Sequence, residues 1–131
     1  MDWRFHHIGY AVRSIEETSS FYTKSGYVLS NSVIDLIQNT KIAYLTKAGM
    51  PDIELVAPIN ELSPIIKTLD KVGVSTYHVC YEVDNLEMAV QELRNNNFIA
   101  LFKPVPAVGL NNHRICYLYS KQVGLIELVE R

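Results

Sequence analysis

Four residues carry the chemistry that this sequence can do. His7 and His78 each open an alternating run, His7-Ile8-Gly9-Tyr10-Ala11-Val12 and His78-Val79-Cys80-Tyr81-Glu82-Val83, and stand 71 residues apart. Glu54 and Glu127 each sit inside an aliphatic tetrapeptide, Ile53-Glu54-Leu55-Val56 and Ile126-Glu127-Leu128-Val129, 73 residues apart. Imidazole nitrogens and carboxylate oxygens together suit a first-row divalent metal ion, and a set of two His and two Glu leaves coordination positions for water or substrate. Taken alone, a strand His is most often a satisfied structural residue, and a Glu alternating with aliphatics is most often the solvated side of a strand. Their joint recurrence at matching places is what favours a metal site.

Alternation tells which side chains share a face. In an extended strand, His7 points the same way as Gly9 and Ala11, and His78 the same way as Cys80 and Glu82. Ile8, Val12, Val79 and Val83 take the opposite side. Each Glu likewise opposes its flanking aliphatics, so that if those pack under helices both Glu and both His line one concave face. Small Gly9 and Ala11 leave room for a ligand above it.

The elements that must position these residues are written twice. Residues 5 to 12 read as a strand, and Ser14-Ile15-Glu16-Glu17 is a capping signature opening a helix to Lys24, which Gly26 ends. Tyr27 to Asp35, Lys41 to Thr46 and Asp52 to Val56 are β-rich, with turn material between them. The second copy repeats the order: strand 76 to 83, helix from Asn85 to Asn96, then strands near 98 to 103, 113 to 119 and 124 to 130. Ser63-Pro64 starts a short helix between the copies, closed by Gly73. The expectation is an α+β domain over residues 1 to 131, with eight strands in two βαβββ modules forming a cupped mixed sheet. Module one spans about 1 to 60, the linker helix about 61 to 73 and module two about 74 to 131.

Composition excludes several classes of partner. With 12 Lys+Arg against 14 Asp+Glu, the net charge of −2 gives no footprint for a nucleic-acid backbone or an anionic membrane. Lys41, Lys67, Lys71, Lys103 and Arg114 are scattered, more as ordinary surface charge than as a site for an acidic substrate. No run approaches the ~18 apolar residues of a membrane span, and the start lacks a leader pattern, so a cytoplasmic protein is expected. Cys80 and Cys116 lie in apolar runs and read as small buried hydrophobes rather than as a disulfide pair or zinc site. His6 reads as a solvent-facing or edge neighbour of the ligand His7. His113 reads as a surface residue or a contact for a substrate anion.

At these residues the sequence resembles the vicinal oxygen chelate superfamily, and within it the branch of methylmalonyl-CoA epimerase and glyoxalase I. The resemblance spans nearly the whole chain and rests on His7-Ile8-Gly9-Tyr10-Ala11-Val12, Ile53-Glu54-Leu55-Val56-Ala57-Pro58, Leu62-Ser63-Pro64-Ile65-Ile66, Tyr77-His78-Val79-Cys80-Tyr81-Glu82-Val83 and Gly124-Leu125-Ile126-Glu127-Leu128-Val129. The Ser-Pro-Ile linker favours the epimerase-like branch. The resemblance implies paired βαβββ modules and makes His7, Glu54, His78 and Glu127 ligands of one divalent ion, with zinc, nickel, cobalt, manganese and iron all compatible. It departs at one place: the epimerases' catalytic glutamate before a Gln-Gly turn is replaced by Ile37, ahead of Gln38-Asn39. Ile37 is read as buried-facing, Asp35 as the nearest substitute on the same strand face, and Glu61 as a weaker one.

What the resemblance implies is a metal-dependent isomerase or lyase acting on the proton next to a carbonyl, epimerase-like, with Glu127 or its counterpart Glu54 moving the proton. The expected substrate is a small molecule, an acyl-CoA or a thiol adduct, and the expected assembly is a homodimer that covers exposed strand edges. A glyoxalase I-like lactoylglutathione lyase is the close alternative, because in that branch a metal-ligand glutamate is itself the base. A non-catalytic small-molecule or antibiotic-binding protein is disfavoured by four metal-competent ligands, and iron-dependent oxygen chemistry by the fourth ligand, Glu54.

Overall fold

The computed structural model describes residues 1–131. It separates into two compact units: His7–Tyr77, and His78–Arg131 together with Met1–His6. Each unit runs strand, helix, then a set of strands, with a further helix in the first, and the class is α+β.

In the first unit, β1 (Arg4–Ala11, of which His7 onward belongs here) leads to α1 (Ile15–Thr23). Ser14 caps α1, its hydroxyl accepting from the Glu17 amide at 3.2 Å, which satisfies one of the orphan donors of the first turn. Gly26, at φ 92°, supplies the left-handed backbone that turns the chain out of the helix. Then follow β2 (Val28–Leu29), β3 (Val33–Asp35), β4 (Thr40–Thr46) and β5 (Asp52–Pro58). The sheet order is β2-β4-β5-β1, with β3 also on β4. β1 and β5 are parallel, aligning Gly9 with Glu54, and β4 and β5 are antiparallel, aligning Tyr44 with Glu54.

Two layers cover this sheet. Val12, Ile15, Ala43, Leu45, Ile53, Leu55 and Ala57 form one core, with Tyr10 and Tyr22 packed against it. On the opposite side α2 (Ile65–Val72) sets Ile65 and Leu69 against Ala11 and Val56. Gly73, at φ 76°, ends α2 as expected.

The second unit repeats the plan: β6 (Ser75–Val83, from His78 onward), α3 (Leu86–Asn95), β7 (Ile99–Ala100), β8 (Val105–Ala107), β9 (His113–Ser120) and β10 (Gly124–Glu130). Its order is β6-β10-β9-β7, with β8 also on β9; β6 and β10 are parallel and align Cys80 with Glu127. Asn85 caps α3 by accepting from the Met88 amide, and α3 buries Leu86, Ala89 and Leu93 against Cys116, Leu118, Ile126 and Leu128. Arg4, at the head of β1, reaches Glu82 and Asp84 within this unit.

The strand count departs from expectation. The single strand expected over 27 to 35 is two short ones, because Ser30-Asn31-Ser32 leaves the ladder and Ser30 bonds Tyr44 through both its amide and its hydroxyl. The strand expected over 98 to 103 stops at Ala100, and Val105–Ala107 forms a separate short strand leading to a 3-10 turn at Val108–Leu110. Asn111 and Asn112, both at positive φ, then turn the chain into β9.

Candidate metal centre

The alternation expected from the sequence holds on both units. His7, Gly9 and Ala11 are buried on one side of β1, while Ile8 and Tyr10 are half-buried on the other. In β5, Ile53 and Leu55 face α1, leaving Glu54 on the side of His7. His7 Nε2 lies 3.4 Å from Glu54 Oε1. In the second unit His78 Nε2 lies 3.2 Å from Glu127 Oε1, on the side of the sheet away from α3.

None of the four exceeds 3% exposure, which decides their character. A buried carboxylate is costly unless it is paired, hydrogen-bonded or bound to a cation, so in each unit the Glu beside its buried imidazole makes a cation-seeking donor pair. The spacing fits as well. Two donors about 2.1 Å from one ion and separated by the angles of tetrahedral or octahedral coordination stand ~3.0–3.4 Å apart.

Each pair carries a tyrosine that sequence reasoning missed. Tyr44, opposite Glu54 on β4, donates its hydroxyl to Glu54 Oε2 at 2.8 Å, and its ring meets His7 edge to face at 5.7 Å. Tyr117, opposite Glu127 on β9, meets the His78 ring at 5.2 Å. The two tyrosines are 73 residues apart, the same offset that relates Glu54 to Glu127, so the repeat itself was the signal that could have found them.

The candidate second bases are placed differently from expectation. Ile37 is 61% exposed, in the turn between β3 and β4, and is not buried-facing. Because β3 ends at Asp35, strand alternation does not carry from Asp35 to Ile37, and the shared face expected of them does not exist. Asp35 is buried and accepts from the Gln38 backbone and side-chain amides, both at 3.0 Å, so it holds the turn together. Glu61 is exposed ahead of α2.

Of the remaining candidates, His6 is half-buried, and His113 is exposed with Nδ1 2.8 Å from the Glu130 carbonyl oxygen. Arg114 is committed to Glu87 and Glu130, whose carboxylates raise its pKa further. Lys41 lies 3.9 Å from Glu16. No disulfide joins Cys80 and Cys116, and burial pushes the Cys116 thiol up, keeping it protonated. No helix is long and apolar enough to cross a membrane.

With the fold and these pairs described, comparison with known proteins places the chain in a family. The chain belongs to the Glyoxalase/Bleomycin resistance protein/Dioxygenase superfamily, whose family model matches residues 6–117. Mitochondrial methylmalonyl-CoA epimerase of Mus musculus is 30% identical over 128 residues, covering 95% of this chain and 71% of the mouse protein. Among solved structures, a hypothetical protein from Bacillus halodurans superposes with a TM-score of 0.87 at 31% identity, covering 100% of this chain and 96% of that one. A variant of Streptomyces coelicolor methylmalonyl-CoA epimerase, in complex with 2-nitronate-propionyl-CoA, superposes with a TM-score of 0.82 at 26% identity, covering 97% and 96%. The chain is thus similar to epimerases in the vicinal oxygen chelate fold.

Proposed function

We propose that His7, Glu54, His78 and Glu127 together hold one divalent metal ion, and that the protein is an epimerase-like enzyme moving the proton next to the carbonyl of an acyl-CoA. The observation that carries the reading is the matched pair of buried His–Glu contacts, 3.4 Å in one unit and 3.2 Å in the other. Similarity to epimerases, one of which binds a propionyl-CoA analogue, supports the substrate class.

Held by these four residues, a divalent ion would supply Lewis acidity toward the carbonyl oxygen, offsetting the negative charge that develops as the α-proton leaves. The chain's own residues do the rest. His7 and His78 fix two donors from within strands that pair in parallel with β5 and β10, and their burial keeps bulk water from screening the charge. Glu127, or Glu54 by the symmetry of the modules, takes the proton on one carboxylate oxygen and returns it. With Ile37 in place of the relatives' glutamate, removal and return from the same face are favoured over inversion. The reading therefore gives proton exchange at the α-carbon faster than racemisation.

The test is deuterium wash-in at the α-carbon of methylmalonyl-CoA in heavy water, before chelation, after chelation and after return of the metal. Exchange that is lost on chelation and restored by the ion is expected. Absence of exchange in the metal-loaded protein contradicts the activity, and exchange indifferent to chelation contradicts the metal's part in it.

A further inference from the structure

The two oxygens of Glu54 have different surroundings. Oε1 stands 3.4 Å from His7 Nε2, while Oε2 accepts the hydroxyl of Tyr44 at 2.8 Å. Tyr44 is set in this position by the β4–β5 register, which places it directly opposite Glu54, and by Ser30, whose hydroxyl takes the Tyr44 backbone amide at 2.8 Å. The Tyr44 ring also abuts the His7 ring edge to face, so one side chain touches both members of the pair.

We propose that Tyr44 is a positioning residue: its hydroxyl holds Oε2 of Glu54 so that Oε1 alone is presented, beside Nε2 of His7, to a divalent metal ion. This rests on the metal reading above. A glutamate has three rotatable bonds and two equivalent oxygens. Fixing one oxygen by a short hydrogen bond to the charged form removes the rotamers in which the other turns away, and it disfavours bidentate binding. Outer partners of this kind are worth roughly 10–100-fold in metal affinity. A leucine or phenylalanine would fill the same strand position with equal burial; the hydroxyl is what links the position to Glu54.

The experiment is a competition titration with cobalt(II) against a chromophoric chelator, read together with the visible absorption of bound cobalt, on wild type, Tyr44→Phe, Glu54→Ala and the double variant. Tyr22→Phe is the control, because it removes a phenol from the α1 side of the same unit. Tyr44→Phe keeps the ring and its contact with His7. It is expected to weaken cobalt binding by about tenfold or more and to change the absorption envelope, with Tyr22→Phe matching wild type. In the Glu54→Ala background, which has no acceptor for the phenol, the further loss from Tyr44→Phe is expected to shrink to less than about twofold, since the two residues act through one interaction. Equal affinity and spectrum in wild type and Tyr44→Phe, or an undiminished loss in the Glu54→Ala background, overturns the proposal. A wild-type protein that binds no cobalt overturns the metal reading instead, so the two failures are distinguishable.

Discussion

At the scale of single residues, parity decided most of the site. Because strand side chains alternate, the sequence placed His7 with Gly9 and Ala11, and Glu54 opposite Ile53 and Leu55, and each of these placements is observed. Ile37 and Asp35 were not legible in the same way, since alternation was carried across the end of β3 into a turn. Asp35 has the marks of a structural carboxylate: buried, with two amides donating to it. Asp35→Asn should lower stability by about 1–2 kcal/mol in urea denaturation while leaving α-proton exchange at the wild-type rate. Exchange lost in a folded Asp35→Asn protein would instead make Asp35 the base. Ile37, exposed in the turn, should accept glutamate with little change in stability. Measured by deuterium wash-in and loss of optical activity side by side, Ile37→Glu should narrow the gap between exchange and racemisation that wild type shows. Equal rates in wild type would show that a second base is already present elsewhere.

At the scale of elements, caps and long strands were readable and short edge strands were not. Ser14 and Asn85 announce their helices chemically, and Gly73 ends its helix with a positive φ, so these boundaries follow from local rules. The pieces β2, β3, β7 and β8 contain two or three residues each. Their extent depends on where Ser30 leaves the ladder and on the Asn111-Asn112 turn, neither of which hydrophobic periodicity reports. The linker helix is more than a connection: Leu69 is 1% exposed and packs with Ala11 and Val56, each two residues from the nearest site residue's face neighbour or the site residue itself. Leu69→Ala should cost roughly 2–5 kcal/mol in denaturation, by lost transfer energy plus the cavity left behind. A loss well under 1 kcal/mol would show that α2 is loosely held. The head of β1 is tied to β6 by Arg4 and Glu82, 3.1 Å apart. The hydrogen bond from Arg4, helped by Arg131, holds the Glu82 carboxyl below its ordinary value. A depressed folded value means that the contribution is present above the unfolded carboxylate pKa of roughly 4.3 and fades as pH falls through the folded value. Glu82→Gln should therefore flatten the acid limb of the stability profile and lower the plateau above it; an unaltered acid limb would show that the pair is screened.

At the scale of the whole molecule, the duplication is the most informative fact, and it was legible because two offsets, 71 and 73, relate the same kinds of residue in the same order. It also related Tyr44 to Tyr117, which only became meaningful when Tyr44 was seen on Glu54. Leu36, Leu62, Val28 and Ile99 are exposed apolar side chains on or near short edge strands and turns, surface that a second chain would cover. Light scattering at tens of micromolar is expected to give twice the 14.9 kDa chain mass, and a monomer would contradict it. The proposal that His7, Glu54, His78 and Glu127 hold one ion is tested by elemental analysis of wild type and His78→Ala purified in parallel from metal-replete medium. One divalent ion per wild-type chain is expected, and none in a His78→Ala protein that retains its far-ultraviolet circular dichroism. A metal-free wild type, or a folded His78→Ala protein that keeps a full equivalent, would contradict it.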